Sequence, residues 1–384
     1  MPPKFEKLRS KAEEAIKENN TYEALQIYRT VRNRCKDESQ ARECLEMLYH
    51  AAVHFGSLDE KTTVLDLAEV YADTVVNFKV RPSEEIYKEI GEMFKLMPVT
   101  ISTTPSESGS HDLRSKFVND VFGWSKEVST QSFRKLRGDP ELHKVFAKVH
   151  WEQGAHNLAR LHFLLANDPD LFSKFLIEYT MKQENMEDGD SQDYLAQAVL
   201  QLLAHKKLKV AQSFFVVYCR DHPEIKQSFP FRNSPLLNFI WLLLTALQLQ
   251  DFNKFVYLVE KYQPVLHGDC EYKGALDKVG QVFFKVPPKH DSGFGGMFGG
   301  LLKGLMPKGA DPSKEEFSPD EEMPEEARKR AEEFYKGGRP DFDELNAKAD
   351  KANPPGLILE PAVEEMEQEQ PPKAVSQPSE MDLD

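Results

Sequence analysis

Three segments of this chain place an alanine four residues ahead of an aromatic ring, each just after a polar turn. They are NNTYEALQIY with Ala24 and Tyr28, QGAHNLARLHF with Ala159 and Phe163, and KKLKVAQSFF with Ala211 and Phe215. On an α-helix, residues i and i+4 lie one above the other on the same face. A small residue beside a large ring makes a notch and a knob, which lets a neighbouring helix pack closely. Recurrence of that device points to stacked helix pairs, not to a single closed globule. An array of that kind is a surface for binding other proteins.

Helical signals run through most of the chain. Residues 4–19 read as a charged amphipathic helix, and Asn19–Asn20–Thr21 supplies a turn and a cap for the next. Further helices are expected over 21–36, 39–55, 58–77, 83–96, 111–129, 139–153, 155–167, 168–183, 190–204, 206–221, 235–249, 251–262 and 270–285. A helix pair then takes about 34–45 residues, the range of tetratricopeptide and HEAT-type repeats. A Ser/Thr/Pro-rich loop at 97–110 and an acidic loop at 184–191 interrupt the series. The one departure from helix is SFPFRNSP (Ser228–Pro235), read as an irregular or hairpin-like insertion. The fold class expected is all-α: an α-solenoid of tetratricopeptide-like helix pairs, a small hairpin-like insertion and a disordered acidic C-terminal tail.

Charge divides the chain. Of the 63 acidic and 49 basic residues, 22 and 9 fall in residues 309–384, so the net charge of −14 belongs almost wholly to the tail. The body is close to neutral and lacks the surplus of Lys and Arg that sequence-independent nucleic-acid binding requires. No nucleic-acid partner is expected. From Pro307 onward, proline and acid content mark disorder, with one short helix expected at Glu325–Lys336. The glycine- and methionine-rich Phe294–Met306 reads either as a closing segment folded back on the last helices or as a docking or lipid-touching segment.

The four cysteines, Cys35, Cys44, Cys219 and Cys270, are widely spaced and form no C-x-x-C pair, which fits reduced thiols of a cytosolic protein. The N-terminus lacks an apolar signal core. The longest apolar stretch, Leu236–Leu249, is too short to span a membrane and is broken by Asn238, Thr245 and Gln248. No stable membrane insertion is expected.

Chemistry is sparse. His50 and His54 share a helix face but have no third ligand partner in the pattern, so no metal site is assigned. No phosphate loop, nucleophile elbow or cysteine-protease signature occurs. No catalytic residue and no cofactor are expected. What remains is surface. Tyr22, Arg29, Arg34, Asp66 and Asp73 lie on the helices at 21–36 and 58–77, and the two aspartates, seven apart, share a face. Phe231 to Trp241 joins Phe and Pro to a strongly apolar helix, which either closes the core or docks a partner's apolar helix.

Several of these segments resemble one family. Asn19–Arg34 (NNTYEALQIYRTVRNR) looks like its N-terminal Y-E-A-x-Q-x-x-R-T signature. Leu195–Ala211, Ser234–Ala246 (SPLLNFIWLLLTA) and Gly280–Lys289 (GQVFFKVPPK) are similar to its C-terminal half. The family is Golgi-to-endoplasmic-reticulum traffic protein 4, the 35-kDa subunit of the transmembrane-recognition complex, and the resemblance spans about residues 5–306. It implies a cytosolic, non-enzymatic scaffold in the targeting of tail-anchored membrane proteins to the endoplasmic reticulum. It further implies that residues 1–150 dock the targeting ATPase, residues 151–306 hold a ubiquitin-like-domain co-chaperone or a Bag6-type scaffold, and 307–384 is a tail foreign to the family pattern. By position, Tyr22, Arg29, Arg34, Asp66 and Asp73 fall on the ATPase-docking surface, and Phe231, Leu236, Leu237 and Trp241 on the co-chaperone surface. Asp37 stands where some members carry a further Arg. The rival reading is a generic helical-repeat scaffold subunit of another cytosolic complex, such as the proteasome lid.

Overall fold

The computed structural model describes residues 3–98, 113–183, 190–267, 270–287, 323–333 and 340–354. Among them there are eighteen helices and no strand. In the N-terminal half these are α1 (Pro3–Lys17), α2 (Thr21–Arg34), α3 (Glu38–Ser57), α4 (Lys61–Asn77), α5 (Glu84–Leu96), α6 (Leu113–Val128), α7 (Ser132–Arg137) and α8 (Pro140–Glu152). The C-terminal half has α9 (His156–Phe163), α10 (Pro169–Met181), α11 (Asp190–Ala204), α12 (Leu208–Asp221), α13 (Pro235–Gln248), α14 (Phe252–Lys261), α15 (Gln263–Leu266) and α16 (Cys270–Phe284). Two more, α17 (Glu325–Glu333) and α18 (Phe342–Ala352), come from the tail. The expected loop at 97–110, most of the acidic loop at 184–191 and the segment Phe294–Met306 lie outside the described residues.

Local chemistry sets the helix starts. Asn20, Asp37, Ser83, Asp139, Asp168 and Asp251 each accept a hydrogen bond from a backbone N–H of the following first turn, relieving donors that no helix can satisfy internally. Prolines occupy the first turns of α8, α10 and α13, where a missing N–H costs nothing. Several helix ends turn through a left-handed residue that is not glycine: Asn19, Asp59, Lys79, Asn167, Lys206 and Gln250.

The helices pack as an array. α1 lies on α2, α3 on α4, α8 on α9 and α13 on α14, while contacts such as α4 with α6 and α10 with α12 tie each pair to the next. All three alanine–aromatic pairs lie at the interfaces: Ala24, Tyr28, Ala159, Phe163, Ala211 and Phe215 are buried. Gly91 of α5 makes the closest approach, since a Cβ there would stand 2.3 Å from Val145 Cγ1 of α8. Buried apolar side chains form two clusters, one from Ala12 to Val149 and one from Ala147 to Ala349, which meet along α8. At that seam His143, His150 and His162 gather around Phe122 and Phe146.

Two features differ from expectation, and the insertion between α12 and α13 takes the irregular of its two readings. The helix at 251–262 ends at Lys261, and Pro264 opens the short α15. Ser228–Pro235 is an irregular loop with a cis Phe229–Pro230 bond, not a strand pair. The tail, expected to carry one short helix, contributes two, and both pack on the C-terminal half: α17 on α12 and α18 on α13.

Candidate protein-binding faces

The N-terminal face is built by α2 and α4, which pack side by side. Tyr22 projects from the start of α2, 74% exposed. One turn spacing along the same helix brings Arg29 and Arg32 towards α4. Arg32 forms an ion pair with Asp73, whose carboxylate also accepts a 2.6 Å hydrogen bond from Asn77 Nδ2. Asp66, two turns before Asp73, is half-buried; burial pushes its carboxyl above the usual range, the nearby Arg29 opposes this and Glu69 reinforces it. Glu69 in turn binds Lys116 of α6 at 2.5 Å, and that contact raises the lysine's pKa.

The face is therefore a band of alternating charge running α2–α4–α6, not a bare acidic pair. Of the expected residues, Arg29, Asp66 and Asp73 are brought together. Arg34 is exposed, but five residues beyond Arg29 it points about 140° away around the helix. Arg32, Glu69 and Lys116 are members that the sequence reading missed. The i,i+3 spacing of Arg29 and Arg32 was the available signal. Asp37 has a structural task, because its Oδ1 caps α3 by accepting from Gln40 N at 3.0 Å. His54 Nε2 lies 3.0 Å from Asn19 Oδ1 and ties α3 to the α1–α2 turn.

The C-terminal face centres on α13. Its sequence is apolar on every side, so it must be covered on every side. Phe231, Leu236 and Leu237 are buried in the core, Leu237 completely. Their side chains support the surface and do not form it. Of the two outcomes left open for this stretch, core closure holds for these three. Trp241 is only half-buried and stacks on Phe229, with ring centroids 5.1 Å apart and planes 14° from parallel. That stacked pair is the apolar patch that reaches the surface. Asn238, inside the apolar helix, fastens the loop: its Oδ1 accepts from Phe231 N at 2.9 Å and its Nδ2 donates to Phe231 O at 2.7 Å.

An open groove of about 760 Å³ runs between α5 and α8. Lys95, Lys144 and Arg134 on its walls are paired with Glu152, Glu141 and Asp139. Among the described residues, no group of three or more His, Cys, Asp or Glu side chains is arranged to hold a metal ion. Nor is any described helix long and apolar enough to cross a membrane.

Comparison with known proteins decides what this array is. The family model for Golgi to ER traffic protein 4 matches residues 38–302, which take in α3 to α16. The chain belongs to the Golgi to ER traffic protein 4 family. The homolog B of Xenopus laevis is 32% identical over 315 residues, covering 82% of this chain and 91% of the relative. The human homolog is 33% identical over 301 residues, covering 78% and 86%. The crystal structure of C. therm. Get4 superposes with a TM-score of 0.62 at 22% identity, covering 80% of this chain and 96% of that one. It bears out the α-solenoid. Family membership carries a role in Golgi-to-ER traffic, and the family match ends before α17 and α18 begin.

Proposed function

We propose that the chain is a non-enzymatic cytosolic scaffold that brings a tail-anchored-protein targeting ATPase together with a ubiquitin-like-domain co-chaperone or a Bag6-type scaffold. The observation that carries this reading is a family match that runs from α3 to α16, and so takes in α4 of the charged face and the whole of the C-terminal face. The ATPase docks on the charged α2–α4 band through Tyr22, Arg29, Asp66 and Asp73, with Arg34 reaching it only from the neighbouring face of α2. The co-chaperone docks on the C-terminal half around Trp241 and Phe229, with Phe231, Leu236 and Leu237 holding that patch in shape from below.

The two faces suit different tasks. A band of exposed charges steers rapid association and is screened beyond about 8–10 Å at ordinary ionic strength. That fits an ATPase that must arrive and leave. An aromatic patch on a rigid apolar helix suits a long-lived partner.

Calorimetry with the targeting ATPase tests the assignment. The double variant Asp66→Lys/Asp73→Lys is expected to weaken binding at least about tenfold, since each reversal places like charge against a complementary surface. Its melting temperature should stay within a few degrees of the parent. Unchanged affinity removes these residues from the interface.

A further inference from the structure

Asn238 lies fully buried in the first turn of α13. Two of its hydrogen bonds hold the Phe231 backbone. The second N–H of its amide goes to a residue 115 positions away: Nδ2 donates to Asn353 Oδ1 at 2.8 Å. Asn353 is the C-cap of α18, and its own Nδ2 donates to the Tyr262 hydroxyl at 3.3 Å. Beside it, the backbone N–H of Asn233 donates to the Ala352 carbonyl at 3.0 Å. The array thus carries a small polar socket of Asn238, Tyr262 and the Asn233 N–H, and the tail completes it.

The remainder of the tail contact is that of an amphipathic ligand on a groove. Phe342 and Ala349 of α18 are buried, and Leu345 packs against the same cluster. Lys254 sits 5.5 Å over the Phe342 ring, and Lys261 binds Asp350 at 2.5 Å and Asn346 at 2.7 Å. Upstream, α17 buries Ala327 and Ala331. Its Arg330 donates to Ser213 Oγ of α12 at 3.0 Å and to Asp170 of α10 at 2.5 Å. Every one of these receptor residues lies within the stretch that matches the family, while every ligand residue lies beyond it.

We infer that the C-terminal half has a helix-docking surface on α12–α14, and that α17 and α18 are its resident ligand, bound in cis and keyed by Asn353. The surface selects an acidic amphipathic helix with an aromatic residue at its start, an Asp eight residues later and an Asn at its C-cap. A helix that binds there from another protein must first displace the tail. This holds whichever co-chaperone the C-terminal half carries.

The energetics favour a separable ligand over an integral part of the fold. Helices of nine and eleven residues are too short to persist alone in water, so they are ordered by docking and lost on release. Their buried apolar side chains are few and mostly alanine, and the ion pair of Arg330 with Asp170 is of the partly exposed kind that contributes little. Tethering supplies the rest, through an effective concentration on the order of millimolar.

A fluorescently labelled synthetic peptide of residues 323–354 tests this by anisotropy against two full-length chains. One is the parent; the other carries Phe342→Asp/Asn353→Ala, which changes only the tail. The peptide is expected to bind the variant at least about tenfold more tightly than the parent, whose site is already filled. A peptide with the same two substitutions should bind neither chain. Equal binding to both chains, or binding to neither by the unaltered peptide, overturns the inference. So does a variant that no longer unfolds cooperatively, because loss of a ligand leaves the array intact. Sedimentation showing the parent as a dimer that dissociates in the variant would assign the tail to a second copy and overturn the cis arrangement.

Discussion

The two halves of the array solve opposite surface problems. In the N-terminal half the interesting face is charged: α2, α4 and α6 meet with Arg29, Asp73 and Lys116 exposed and Arg32, Asp66 and Glu69 half-buried. In the C-terminal half α13 is apolar on all sides, and the chain covers it with α12, α14 and a helix from the tail. The first face can be rewritten residue by residue with little effect on folding. The second cannot, because the residues nearest to it belong to the core. A substitution that tests binding in one half therefore tests stability in the other.

The sharpest expression of that contrast lies between two neighbours on α13. Leu237 is fully buried, so Leu237→Ala should destabilise the protein by about 2–5 kcal/mol through lost burial and the cavity left behind. Trp241 is half-buried and stacked on Phe229, so Trp241→Ala should cost less than Leu237→Ala in urea unfolding yet remove the aromatic that reaches the surface. Equal losses at the two sites would mean that the stacked pair is core and that the C-terminal half has no exposed apolar patch there.

The seam between the halves gives the next largest effect, through pH. Burial holds His143 down to about 3 and His150 down to about 4, against an ordinary value of 6.5, and it depresses His162 as well. His143 Nδ1 lies 2.9 Å from His162 Nδ1, and Arg137, Lys207 and Arg114 add positive charge nearby. Below pH 6.5 the unfolded chain binds protons that the folded chain refuses, so stability falls as pH drops from about 6.5 towards 4. Each such histidine contributes a slope of up to about 1.4 kcal/mol per pH unit in that window. Urea midpoints measured from pH 7.5 to 4.5 check this, and substituting His150 by Phe should flatten the curve. If the halves part at the seam first, the transition splits in two on acidification.

Much of the array could be read in advance because it is periodic and local. The Ala24–Tyr28, Ala159–Phe163 and Ala211–Phe215 pairs mark buried contacts, and caps such as Asn20 and Ser83 mark helix starts within a residue or two. What escaped is non-local. The sequence of α18, FDELNAKADKA, has only Phe342, Leu345 and Ala349 as an apolar stripe and sits in an acidic, proline-rich stretch. Its order comes from Asn238, Tyr262 and Lys261, which no window includes. The candidate sites failed in the same way. α2 offers Arg29, Arg32 and Arg34, and only the direction of α4 decides that Arg32 meets Asp73. Phe231 and Leu237 are as hydrophobic as any docking residue, and only the loop held by Asn238 turns them inward.

The smallest effect comes from the charged face. Asp73 is exposed, paired with Arg32 and hydrogen-bonded to Asn77. Asp73→Asn keeps the shape and removes the charge, so it should change stability by no more than about 1 kcal/mol. The difference should shrink further when salt is raised towards 1 M, where the Debye length falls to about 3 Å. Urea unfolding at low and high salt measures both quantities. A loss of several kcal/mol that persists in high salt would show that the Arg32–Asp73 pair holds α2 to α4 as part of the core, and the contrast between a rewritable face and an immovable one would then fail.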